Sequence, residues 1–177
     1  MAELRKVEVV PYDEKWIDQF NSEKDIILSI IGNEVLKVEH IGSTSIPGLS
    51  AKPTIDVLVV VRDIECIDHF NSLFESKGYS VHGENGIIGR RYFSKKDGTK
   101  HLVHVHIYDV TNEYEINRHI AFRDYLIHHP NKAKAYGDLK EDLAVKYPFN
   151  IEGYIDGKHE LVQRFTDEAM FWFDGKS

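Results

Sequence analysis

Several things are scarce in this sequence. A single cysteine, Cys66, stands among 177 residues, which rules out a disulfide framework within the chain and suits a reducing compartment. No apolar run reaches the roughly 18 residues that a membrane-spanning helix needs, and Val57–Val61 is only strand length. The opening residues MAELRKVEVV hold no apolar leader stretch, so the expectation is a cytoplasmic protein with no membrane partner. Positive charge is also short: 22 Lys and Arg against 29 Asp and Glu leave a formal charge of −7. That balance argues against sequence-independent binding to duplex nucleic acid, which depends on neutralising phosphates. It leaves room for a small anion in a locally basic pocket. With five prolines, no repeat and no low-complexity tract, no linker is evident. The expectation is one domain over 1–177, with an α/β part over about 1–110 and a helical part over about 111–177.

What is present supports a real core: 42% of residues are apolar, including nine Tyr, nine Phe and two Trp. Lys6–Val10 reads as a short strand ended by Pro11. Asp13 caps a predicted helix whose Trp16, Phe20, Ile27 and Ile31 recur at helical spacing until Gly32 and Asn33 stop it. Val35–Ile41 alternates as a strand, and Thr54–Val61 is a nearly continuous β-branched run, the signature of a central strand covered on both faces. Ile64–Lys77 is predicted as a helix with Ile67, Phe70, Leu73 and Phe74 inward, closed by Gly78, and Tyr79–His82 as a short strand. Ile88–Ser94 and His101–Tyr108 flank Lys96-Asp97-Gly98-Thr99, a hairpin signal. Helical patterns follow over Glu113–His128, Lys132–Lys146 and Lys158–Phe173. The predicted fold is therefore α/β (α+β): a mixed twisted sheet flanked by helices, with a C-terminal helical segment. The apolar Met170–Phe173 cluster is expected to pack on the core; the oligomeric state is left open.

The chemistry concentrates in three places. Between two strands, Gly42–Pro53 is longer than ordinary connections and small and polar in composition. Gly42 and Ser43 open it, where a glycine lets the backbone approach a ligand and a following turn can form an anion nest. The spacing is not that of a Walker loop, because Lys52 lies too far from Ser43. Asp56 then interrupts an apolar strand, and a carboxylate there needs a partner: Lys52, a metal ion or a histidine. Last, His104 and His106 in HLVHVHIYD point to one face of their strand while Val103, Val105 and Ile107 face the other. His-x-His on a strand suits a first-row metal, and Asp56 on a neighbouring strand would make a third ligand. One ion with bonds of about 2.0–2.2 Å requires the three side chains to lie within about 8 Å of each other. Arg90, Arg123 and Lys158 could supply a phosphate clamp, whereas Arg118 reads as a surface charge and Cys66 as core packing.

The segments VPYDEKW, EHIGSTSIPGLSAKPTIDVLV, GRRYF, HLVHVH, FRDYLIHHP, AYGDLKEDLA and YIDGK together resemble the GrpB-like family of the nucleotidyltransferase-fold superfamily, over nearly the full length. The resemblance implies a Gly-Ser turn that contacts phosphate, here Gly42, Ser43, Thr44 and Ser45, followed by acidic residues that hold two divalent ions. The chain departs from that pattern. TIDVL offers Asp56 alone, with Thr54 and Leu58 two residues to either side, and the later strand presents His104 and His106 where a carboxylate is usual. A magnesium pair wants oxygen ligands, so one ion among Mg, Mn or Zn on Asp56, His104 and His106 is the expected cofactor. The sequence-level expectation for function is nucleotidyl or phosphoryl transfer to a small acceptor. Gly42, Ser43, Lys52, Arg90, Arg123 and Lys158 would bind the phosphates of a nucleotide or other phosphorylated small molecule. Asp56, His104 and His106 would be catalytic, with one histidine available as a general base. The alternatives are a non-catalytic nucleotide- or metabolite-binding module and a metal-dependent phosphoester hydrolase.

Overall fold

A computed structural model describes residues 4–175 of the chain. Five strands form one sheet in the order β1-β2-β5-β4-β3: β1 is Val35–Ile41, β2 Ile55–Val61, β3 Ser80–Val81, β4 Arg90–Asp97 and β5 Lys100–Asp109. Every neighbouring pair is antiparallel except β2 and β5, which run parallel with Asp56 opposite His104 and Leu58 opposite His106. The helices are α1 (Lys15–Ile31), α2 (Asn71–Ser76), α3 (Glu113–His128), α4 (Pro130–Lys146) and α5 (Ile151–Asp174). The architecture is the expected one, a mixed sheet flanked by helices with a C-terminal helical segment. None of the helices is long and apolar enough to cross a membrane, among the described residues.

The alternation of β2 and β5 decides what each face carries. Val57, Val59 and Val61 with Val103, Val105 and Ile107 form one face, buried against Trp16, Phe20, Ile27 and Ile31 of α1. Leu58 and Val60 turn the other way and pack with Ile41, Tyr108 and Ile116 and Ile120 of α3. Asp56, His104 and His106 share this second face, so they look toward the helical segment. The Gly42–Pro53 loop is tied down there as well, because Ile46 and Leu49 are buried among Ala121, Leu126 and Tyr136.

Several predicted elements shift. Lys6–Val10 is no strand; Val10 makes one isolated bridge, to Ala51. The predicted Ile64–Lys77 helix divides into a 3₁₀ stretch, Ile64–Phe70, and the short α2, and Leu73 is exposed. Pro130 begins α4 from its first position, where its missing N–H is harmless. α5 begins at Ile151, well before Lys158, with the Asn150 side chain accepting from Gly153 N–H at 3.0 Å. Of the C-terminal cluster, Met170, Trp172 and Phe173 pack on the core, while Phe171 points to solvent.

Candidate functional site

Asp56 lies at the centre of a convergent set of donors. Its Oδ1 is 3.3 Å from His106 Nε2 and 3.5 Å from His104 Nδ1. Behind His106, the Arg90 guanidinium approaches Nδ1 at 3.3 Å while its other nitrogens donate to the carbonyls of Glu84 and Asn85. A guanidinium only donates, so His106 Nδ1 accepts and the proton resides on Nε2, aimed at Asp56. His104 Nδ1 faces the same carboxylate oxygen, and its Nε2 lies 2.8 Å from His101 Nδ1, a hydrogen bond that either ring can donate. Burial, partly offset by Asp56, lowers the pKa of His106, and burial lowers that of His101 to about 4, so both rings are neutral near pH 7. Burial raises the Asp56 pKa, but the two imidazole hydrogen bonds outweigh it and hold the carboxylate well below its usual range.

Asp56 Oδ2 faces Gly42. That glycine has φ +74° and ψ −176°, a conformation essentially reserved for glycine, and a Cβ added there would fall 2.5 Å from Oδ2. Ser43–Ser45 then forms a single 3₁₀ turn. The Thr44 hydroxyl, buried, meets His40 Nε2 at 2.9 Å, and Ser45 Oγ donates to the Gly42 carbonyl. These two hydroxyls hold the loop's shape, and Ser43 alone of the three reaches a cavity. Of the four residues expected to contact phosphate, Gly42 and Ser43 line cavities.

Two adjoining chambers meet at Ser43, Asp56 and Lys158. One, of about 230 Å³, is walled by Lys52, Lys140, Lys158, Tyr154, Thr54 and His104. The other, of about 300 Å³, has Phe122, Tyr136, Ile155 and Val162 on its walls with Arg118, His119 and His159. Burial lowers the His119 pKa to about 2, and its Nε2 lies 3.3 Å from the Tyr108 hydroxyl. Lys140 and Tyr154 were not expected from the sequence. Lys140 Nζ and Tyr154 Oη are buried with no hydrogen-bond partner. The ammonium group of Lys140 has only the Tyr136 ring, 4.4 Å away, and those of Lys52 and Lys158 are each 5.1 Å from the centre of the Tyr154 ring. A sequence signal existed: Lys140 follows Ala133, Tyr136 and Gly137 on the face of α4 that also buries Leu143. A lysine on that stripe needs an explanation.

The predicted clamp divides. Lys52 and Lys158 line the smaller chamber. Arg90 is committed to His106 and two carbonyls, and Arg123 to Glu39 at 2.6 Å, Asp124 at 2.8 Å and the His40 carbonyl at 3.0 Å. Neither arginine lines either chamber. Arg118, read as surface, lines the larger one while paired with Glu115 at 2.7 Å.

The metal expectation meets the proximity condition but not the donor chemistry. A ligating histidine donates its second N–H to an acceptor, and His106 has a guanidinium there. Binding a metal through Nε2 would move the proton to Nδ1, against the Arg90 donor. Among the described residues no group of three or more His, Cys, Asp or Glu side chains is arranged to hold an ion. Neither residue two positions from Asp56 adds a carboxylate: Thr54 lines the smaller chamber, and Leu58 is fully buried in an apolar cluster.

The family model described as GrpB protein matches residues 6–168. The chain belongs to the GrpB family. Among its relatives, UPF0157 protein YqkA of Bacillus subtilis is 46% identical over 173 residues, covering 98% of this chain and 50% of that protein. The chain thus spans half the length of that relative. Glutamate-rich protein GrpB of Alkalihalophilus pseudofirmus is 36% identical over 167 residues, 92% of this chain and 95% of that one. The crystal structure of conserved protein GrpB from Enterococcus faecalis superposes with a TM-score of 0.89 at 44% identity, covering 93% of this chain and 99% of that chain. The GrpB fold is therefore shared over nearly the whole of this sequence.

Proposed function

We propose that this GrpB protein binds a nucleotide or a related phosphorylated small molecule in the cleft between the sheet and α3–α5, and presents its phosphates for transfer to a small acceptor. The observation that carries the reading is Lys140 Nζ, buried without a hydrogen-bond partner beside Lys52 and Lys158. Leaving such a group unpaired is costly, and an anion in the smaller chamber completes all three lysines and the Tyr154 hydroxyl together. The larger chamber has the apolar and aromatic walls a nucleoside needs. Asp56 lies at the seam of the two chambers, where an acceptor hydroxyl can donate to its carboxylate. A carboxylate held so firmly ionised orients that hydroxyl and is a weak base for its proton. Lysine charge at the phosphates then provides the electrostatic part of transfer.

Calorimetric titration with pyrophosphate and with ATP tests the site. Wild type is expected to bind both, and Lys140→Met to bind about 10–100-fold more weakly, the worth of one charge-assisted hydrogen bond at ~1.5–3 kcal/mol. Equal affinity in the variant would remove Lys140 from the site. A binding module without turnover is the second reading, favoured by Thr54 and Leu58 two residues to either side of Asp56, neither of them a carboxylate. Phosphorus NMR of ATP with the protein and a panel of small hydroxyl and amine acceptors separates the two: pyrophosphate or ADP appearing together with a new phosphoester or phosphoramidate signal means transfer, the same release with free phosphate or AMP means hydrolysis, and an unchanged spectrum means binding alone.

A further inference from the structure

We infer that the positive charge facing the phosphates in this cleft comes from the ammonium groups of Lys52, Lys140 and Lys158 and not from a divalent ion on Asp56, so that a pyrophosphate-bearing ligand binds as the free anion. The inference rests on the phosphate-site reading above and concerns how that site is neutralised. Three observations lead to it, each from a different element.

The first is the direction of the protons around Asp56. Arg90 fixes the His106 proton on Nε2, which lies 3.3 Å from Asp56 Oδ1. His104 Nδ1 closes on the same oxygen from the other side at 3.5 Å. An ion at Oδ1 would meet the His106 N–H where it requires a lone pair. The second is the packing of β2. Two residues to either side of Asp56 stand Thr54 and Leu58, neither of them an anionic ligand, and Leu58 is packed among Ile41, Val60 and Tyr108. That leaves Asp56 Oδ2, which faces Gly42, and one monodentate oxygen is a poor hold for a hard cation that prefers six or more oxygens.

The third is what the helices bring instead. Three lysines from the loop, α4 and α5 line one chamber of about 230 Å³. Lys140, with 2% of its surface exposed, has no anionic partner within hydrogen-bond reach. Three such groups supply more positive charge than one divalent ion, in fixed positions. They are placed on the side of Asp56 away from α1, so the carboxylate is a neighbour of the phosphates and repels them. In a metal-bridged site the same carboxylate would attract them through the ion. The two arrangements therefore predict opposite signs for the effect of neutralising Asp56.

The test is calorimetric titration with sodium pyrophosphate, first with chelator-stripped protein in EDTA and then in excess magnesium chloride, for wild type and Asp56→Asn. Asparagine keeps an acceptor oxygen for the two imidazoles, and thermal melting establishes that the variant is folded. Wild type is expected to bind in EDTA and to bind several-fold more weakly in magnesium, which competes for the anion. Asp56→Asn is expected to bind in EDTA at least as tightly as wild type. Binding that appears or tightens only with magnesium, or a folded Asp56→Asn that no longer binds, would overturn the inference while leaving the phosphate site standing. No binding of pyrophosphate in either buffer would overturn both.

Discussion

Lys52 and Lys140 sense the empty cleft through their proton affinities. Burial first, then Lys158 and Arg5, lower the Lys52 pKa to about 7, with Asp56 pulling weakly the other way. Lys140 falls well below 10.5, from burial and then from Lys158 and Lys52, against a small contribution from Glu141. Above pH 7 Lys52 sheds its proton in the free protein and regains it when an anion arrives. Pyrophosphate binding at pH 8 is therefore expected to take up protons, seen as a binding enthalpy that changes with the ionisation enthalpy of the buffer, and affinity should fall as pH rises. For stability the sign is opposite. The unfolded chain keeps Lys52 protonated up to its ordinary value, so between about 7 and 10.5 it binds more protons than the folded one, and this group's contribution to stability rises with pH. Asp56 was legible as a carboxylate inside an apolar strand, and the imidazoles by their spacing of two. The direction of the imidazole protons was not legible, because Arg90 fixes it from across the hairpin. Nor was the pairing of Arg123 with Glu39, which lies on another strand.

Among the elements, the turn after β1 is the one that tolerates least. Gly42→Ala places a methyl group against Asp56 Oδ2 in a backbone region reserved for glycine. The expected loss is roughly 1–3 kcal/mol, several degrees of melting temperature, together with pyrophosphate binding; an unchanged melting temperature would mean the turn relaxes. The strands and α3 were readable from periodicity, and α3 spans the predicted Glu113–His128. The beginning of α5 was not, because Gly153 and Gly157 argue against a helix when only propensity is weighed. Packing explains the second: a Cβ on Gly157 would lie 2.4 Å from Leu143 Cδ2, so glycine there lets α4 and α5 approach closely. The Lys6–Val10 segment failed as a strand for a related reason. Alternation alone does not provide a neighbouring edge to pair with, and only Val10 finds one.

At the scale of the whole molecule, the cleft sets binding against stability. Unsatisfied groups in it weaken the unliganded fold, and a ligand that satisfies them stabilises it by mass action. Tyr154→Phe retains the ring beside Lys52 and Lys158 and deletes an unpartnered hydroxyl. It is expected to raise the melting temperature of the free protein, by up to ~1 kcal/mol of stability, and to weaken pyrophosphate binding; undiminished binding in the stabilised variant would place the hydroxyl outside the site. The parallel pairing of β2 with β5 has a consequence of another kind. No hairpin can bring Asp56 beside His104, since parallel strands need a crossover and here the chain between them must first travel through α2, β3 and β4. The β4–β5 hairpin is local and closes early, whereas β2 waits for β5 to dock at long sequence separation. During refolding the β2 amides that bond β5, unlike those that bond β1, should thus gain protection from hydrogen exchange after those of β4, and until then Asp56 stays a hydrated carboxylate with no imidazole donors beside it.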